Sequence, residues 1–164
     1  MDFQVGDQVI HWTLGLGEVI GLEERSLSGE SALYYLVRIK DLTVFVPADH
    51  GTECRLRAPA AKRDFKKMLV ILSQPGTELA ENRFERKAAL RKEMADGSPE
   101  SIFRVVRDLT SRARTKNLND DDRNILERAL SLLRSEMALA MSVHPEQADQ
   151  ELQKHLHPLE VAVI

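Results

Sequence analysis

The sequence predicts an α+β chain: a small antiparallel β-barrel at the N-terminus, then a compact all-helical domain of about four to five helices. Three observations predict it. Up to residue 59, short stretches alternate apolar and polar residues and are joined by glycine-rich or polar turns, with no helical periodicity between them. From Ala60 onward β-branched residues thin out, and apolar residues recur every three or four positions. Charge divides with them: residues 1–59 hold 5 Lys+Arg against 9 Asp+Glu (net −4), residues 60–142 hold 17 against 13 (+4), and residues 143–164 hold 1 against 4 (−3). The expected division is 1–58, 60–142 and an acidic tail, 143–164, with a short helix over part of 146–156.

Phe3 to Trp12 alternates as a first strand with an irregularity at Gly6-Asp7. Leu14-Gly15-Leu16-Gly17 is a tight bend, in which the glycines supply positive φ or close backbone approach. It is no phosphate loop, because no Gly-Lys-Ser/Thr follows and strands flank it on both sides. Glu18 to Leu22 continues as a strand, Arg25 to Glu30 is a polar connection, and Ala32 to Ile39 is the clearest strand in the chain. Lys40-Asp41-Leu42 turns it into Thr43 to Pro47, where proline belongs at a strand end. Cys54 to Pro59 supplies a last short strand. So many short strands in so few residues read as a curled barrel, since one flat hairpin buries too little to stand alone.

In the second half, Phe65, Met68, Leu69 and Leu72 mark a helix stopped by Gln74-Pro75-Gly76. The next helix starts between Thr77 and Glu81 and ends at Asp96-Gly97, with Phe84, Ala88 and Ala95 as its buried arc and Arg83, Lys87 and Arg91 as a basic stripe on successive turns. Ser98-Pro99 reads as an N-cap with proline at the first helical position. Ile102, Val106, Leu109 and Ala113 are the expected buried side, and Arg104, Arg107, Arg112 and Arg114 the exposed one. Asn119 caps a fourth helix, with Asp120, Asp121 and Asp122 in its first turn, where free N–H groups favour anions. Its apolar stripe runs from Ile125 to Met141.

A single cysteine, Cys54, excludes an intrachain disulfide framework and a cysteine-rich zinc site. No stretch has the pattern of a signal peptide or a membrane span, so a cytoplasmic protein is expected. The five histidines lack metal-ligand spacing, no Gly-x-Ser-x-Gly occurs, and neither Glu23-Glu24 nor Asp120-Asp121-Asp122 sets two carboxylates in a cleft. Neither an enzyme nor a cofactor is expected. Trp12, Tyr34, Tyr35 and Phe45 are too many aromatics for so small a core, so some face outward as a protein-binding surface. Only one of Tyr34 and Tyr35 can point inward. A methyl-lysine cage would need Trp12, Tyr34 and Phe45 to converge.

Phe3-x-Val5-Gly6-Asp7-x-Val9, Gly15-x-Gly17-x-Val19-Ile20, Tyr34-Tyr35-Leu36-Val37 and Asp41-Leu42-Thr43-Val44-Phe45-Val46-Pro47-Ala48 together closely resemble the CarD/CdnL family of bacterial transcription regulators. Gly97-Ser98, Val105-Val106-Arg107-Asp108-Leu109 and Ala129-x-x-Leu132-Leu133-x-x-Glu136-x-Ala138-Leu139-Ala140 extend the resemblance through residue 141. It implies a Tudor-like (SH3-like) barrel that binds the RNA polymerase β subunit. It also implies a helical domain that contacts promoter DNA at the upstream edge of the melted region, without base-sequence specificity, and stabilises the open complex. A nucleoid-associated monomer with no membrane partner is the expected form.

By position, Arg25 and Leu27 match polymerase-contacting residues of the family. Phe45 matches a third, where a basic residue is common, and His11-Trp12 stands where tyrosine-proline is often found, which makes Trp12 a further expected polymerase contact particular to this chain. Asn82-Arg83 matches the family's Asn-Trp, whose indole wedges against the minor groove. Arg83 therefore stands at the wedge position, and Arg83, Arg86, Lys87, Arg91, Arg104 and Arg107 are the expected DNA contacts. The alternative is a protein-binding adaptor of the transcription machinery that has lost the DNA wedge. A single patch uniting Arg83, Lys87 and Arg91 with Arg104 or Arg107 would favour the regulator. A related barrel occurs in the transcription-repair coupling factor, but the helicase motifs are absent here.

Overall fold

The computed structural model describes residues 2–49 and 55–157, apart from the side chain of Leu27. Cys54, His50 and the residues after His157 lie outside the described residues. The chain divides into two compact units, Met1–Pro59 and Ala60–Ile164.

The first unit is a five-stranded antiparallel sheet: β1 (Gln8–His11), β2 (Gly15–Leu27), β3 (Glu30–Ile39), β4 (Leu42–Pro47) and β5 (Leu56–Arg57), in the order β4-β3-β2-β1-β5. The expected closed barrel is corrected to an open sheet. β5 contributes only two residues, both paired with β1, and so cannot bridge to β4 at the opposite edge. The β2–β3 hairpin is also much longer than the expected short strands. A bulge between Val19 and Gly21 bends it and keeps Val19 and Leu22 on the same face despite their odd spacing.

Val9, Val19, Tyr35, Val37, Ile39, Val46 and Leu56 form the buried face. Tyr35 points inward and accepts a hydrogen bond at its hydroxyl from the Phe3 amide at 3.2 Å, while Tyr34 is only half-buried. Gly15 has a φ of 90°. Gly17 has no room for a side chain: a Cβ there would sit 2.7 Å from Ile39 Cγ1 and 2.9 Å from the Arg38 carbonyl oxygen.

The second unit has five helices: α1 (Lys62–Ser73), α2 (Arg83–Ala95), α3 (Pro99–Ala113), α4 (Asp120–Met141) and α5 (Pro145–Leu156). Local signals set their ends. Asn82 Oδ1 accepts from the Phe84 and Glu85 amides, Ser98 caps α3 ahead of Pro99, and Asn119 with Asp122 forms a reciprocal capping box on α4. Gly97, at φ 76°, follows the end of α2 as the sequence predicts. α1 lacks a side-chain cap; the Glu136 carboxylate accepts from the Ala60 amide at 2.8 Å just before it. Phe65 and Phe103 meet edge-to-face at 5.2 Å among buried residues of α1, α3, α4 and α5.

Three expectations about helix faces are corrected. Phe84, Ala88 and Ala95 are exposed, and α2 instead buries Arg86 and Leu90. Ala113 is exposed. Arg107 and Arg112 are not surface cations, because ion pairs with Asp108 and Glu81 hold side chains that are only 10% and 12% exposed.

Candidate functional site

Two surfaces, one in each unit, hold part of the set of residues singled out in the sequence. On the sheet, directly opposed residues share a face. Gly21, Leu36 and Phe45 align across β2, β3 and β4, as do Glu23, Tyr34 and Pro47, with Arg25 opposite Ala32. This is the face turned away from the buried valines. Phe45 is 39% exposed, and the Arg25 guanidinium carbon lies 3.9 Å from its ring centroid while Arg25 Nε approaches Glu23 at 3.4 Å. A cation stacked on an aromatic beside further apolar surface suits a protein contact, since arginine and aromatic side chains are favoured anchors.

Leu27 closes β2 opposite Glu30, and its side chain lies outside the described residues. Trp12 does not join Arg25 and Phe45. It follows β1, where its amide donates to the Arg55 carbonyl at 2.9 Å, and β1 pairs with the start of β2, ten residues of strand before Arg25. Its indole Nε1 is buried, with no hydrogen-bond partner among the described residues. Among the described residues the aromatic ring contacts are Phe3–Tyr35 and Phe65–Phe103, so Trp12, Tyr34 and Phe45 do not build a cage.

The second surface is the outward side of α2. Arg83 is 61% exposed and lies 3.6 Å from Asp121, while Lys87 Nζ lies 3.0 Å from the other Asp121 oxygen. The hydrogen bond from Lys87 is the main cause holding the Asp121 carboxyl below the usual range, with Lys87, Arg83 and Arg91 adding charge attraction. Arg83 and Lys87 thus share one carboxylate at the start of α4, and Arg91 adds charge attraction to it. Phe84 is 72% exposed beside them, and the Arg83 guanidinium carbon lies 5.3 Å from its ring centroid.

Arg86 is the main correction. It is 4% exposed, its Nε donates to Asp122 at 2.9 Å, and its Nη1 donates to the Ala80 and Glu81 carbonyls at 2.9 and 3.0 Å. Buried and committed to three internal acceptors, this guanidinium holds the segment before α2 against the start of α4 and does not face outward toward a phosphate. Arg104 is partly exposed and ion-paired to α2 itself, whereas Arg107 is nearly buried. Arg104 is bound to Glu93 and Ser101, and Arg107 to Asp108 and Thr77. Sequence reasoning missed Asp121 as the counter-charge of the stripe, having read it only as a first-turn acid. It also missed the outward position of Phe84, for which only the absence of a second aromatic to pack with offered a hint.

Among the described residues no group of His, Cys, Asp and Glu is arranged to hold a metal ion, and no helix is long and apolar enough to cross a membrane.

Residues 3–58 match the CarD-like/TRCF RID domain, and residues 67–153 match the CarD C-terminal domain. YdeB of Bacillus subtilis (strain 168), which carries the name of a candidate transcription factor, is 24% identical over 147 residues, covering 88% of this chain and 96% of its own length.

Proposed function

The chain belongs to the CarD/CdnL family of transcription regulators, and on that premise we propose that it binds RNA polymerase through the outer face of its sheet and promoter DNA through the outward side of α2. Arg25, Phe45 and the neighbouring Leu36 and Tyr34 would meet the polymerase β subunit. Phe45 stands where the family commonly has a basic residue, and Arg25, stacked on its ring, still provides a charge at that spot. Leu27 is retained as a contact by position; Trp12, remote along the strand, is at most a separate one.

The observation that carries the DNA reading is the exposed Phe84 with Arg83 beside it. The wedge position holds arginine, and the next residue supplies the apolar ring that arginine lacks. Arg83 can follow a narrow minor groove while Phe84 presses on the edge of the melted region. Lys87 and Arg91 add phosphate contacts of the sequence-independent kind. Arg86, Arg104 and Arg107 are left out of the contact set. With so few phosphates touched, DNA binding by the isolated protein is weak and strongly reduced by salt.

The test is the lifetime of open complexes formed by the RNA polymerase of the source organism. Adding the protein lengthens it, and Arg83→Ala or Phe84→Ala shortens it again. An unchanged lifetime on adding the protein, or no loss with either variant, overturns the reading. The adaptor alternative has one observation in its favour: Asp121 already neutralises part of the stripe at 3.0 Å from Lys87. Binding to a polymerase β fragment that is lost with Arg25→Ala and Phe45→Ala, while α2 variants leave the lifetime unchanged, would select it.

A further inference from the structure

We propose that a groove between α1, the C-terminal end of α4 and α5 is a docking site for an acidic amphipathic segment of a protein partner. The groove measures about 650 Å³. Leu69 and Met137, both buried, and the partly exposed Met141 and Val143 line it with apolar side chains, Lys62, Lys66 and Lys154 contribute cations, and Glu151 contributes a carboxylate. Methionine adapts its shape to varied apolar side chains.

Charge complementarity selects the occupant. Through most of the second unit cations are matched: Arg83 and Lys87 to Asp121, Arg86 to Asp122, Arg104 to Glu93, Arg134 to Asp149. α1 differs. Lys62, Arg63, Lys66 and Lys67 are all exposed and, among the described residues, none has an acid within ion-pair distance. Lys62 and Arg63 also stand in the first turn of the helix, where the macrodipole disfavours cations, against Asp64 as its one acid. Such an arrangement is relieved when carboxylates are brought to it. Lys154 on the far side of the groove already meets Glu151 at 3.7 Å, so the unmet charge lies on the α1 side. Nucleic acid would satisfy the lysines but has no apolar side chains to bury against Met141 and Val143, the partly exposed apolar residues of the groove. A helix carrying leucines on one face and glutamates beside them satisfies both.

This surface is separate from the α2 stripe. Asp121 begins α4 and Met141 ends it, which at 1.5 Å per residue puts the two sites about 30 Å apart along the helix. A protein engaged on DNA through α2 keeps the groove open for a second protein.

The probe is a synthetic 14-residue peptide with leucines at helical spacing and glutamates between them, titrated into the full-length chain. Binding is followed by peptide fluorescence anisotropy and by the methyl NMR signals of Met137 and Met141. The peptide binds and moves those signals, and Lys62→Glu combined with Lys66→Glu weakens it about tenfold or more. Both sites are exposed, so the fold is kept, which circular dichroism checks. Arg83→Ala binds the peptide normally, so failure of the DNA reading leaves this result untouched. The proposal is overturned if the peptide does not bind, if the paired substitution leaves its affinity unchanged, or if a peptide with serine for leucine binds equally well. It is also overturned if the substitution weakens duplex DNA binding and not the peptide.

Discussion

Arg86→Ala is expected to destabilise the second unit without bearing on DNA contact directly. The side chain is 5% exposed and Asp122, its partner, 2%. Removing the guanidinium leaves the carboxylate buried without a cation, a change that costs about 3–5 kcal/mol in comparable sites. The lower end applies. Asp122 keeps the Asn119 amide at 3.4 Å, and the Ala80 and Glu81 carbonyls belong to exposed residues and can turn to water. A loss of about 3 kcal/mol lowers the melting temperature of a unit this size by about 12–24 °C. Thermal and urea unfolding of Arg86→Ala, Asp122→Ala and the double variant measure it. The double variant should be less destabilised than the sum of the singles by about 1–3 kcal/mol. A loss under about 1 kcal/mol for Arg86→Ala, joined to a DNA-binding salt slope reduced by about one, would mean that the arginine faces phosphate and the reasoning is wrong.

Three further outcomes can be checked. Gly17→Ala pushes a methyl against Ile39, Val37 and the Arg38 carbonyl and should cost the sheet unit about 1–3 kcal/mol in urea unfolding; a neutral effect would mean that the sheet is less tightly packed there. His11 is held below the ordinary imidazole range first by burial and then by Arg55, and its Nδ1 accepts from the Thr13 and Leu14 amides at 3.2 Å. A depressed histidine contributes stability that is full above its unfolded value, about 6.5, and is lost as pH falls through the folded value, so acidification from about 6.5 down to the folded value should weaken the sheet unit and His11→Asn should remove that dependence. Phe84→Ser should change stability by no more than about 0.5 kcal/mol, because the ring is 72% exposed; a larger loss in thermal unfolding would place the ring in a core.

What the amino-acid sequence by itself determined is local. Alternation gave away the strands of the first unit, and it required that one of Tyr34 and Tyr35 point inward. Caps at Asn82, Ser98 and Asn119 and the left-handed Gly97 set the ends of α2, α3 and α4, because each acts within three or four residues of itself. The motifs that carry the family resemblance are likewise runs of a few residues, legible without a fold.

What only the tertiary structure decided is which partner each side chain meets. Sheet closure depends on whether the last strand reaches the first edge, and a two-residue β5 does not. The orientation of α2 depends on a pair thirty-six residues apart in sequence. Arg86 is drawn inward by Asp122, which turns Phe84 outward and reverses the face that hydrophobic periodicity predicts. The same docking of α2 on α4 sets Asp121 against Arg83 and Lys87, and Arg91 adds charge attraction to it. A charged residue reads from sequence as surface. Whether it remains there is settled by a counter-charge elsewhere in the chain, to which periodicity and propensity are blind.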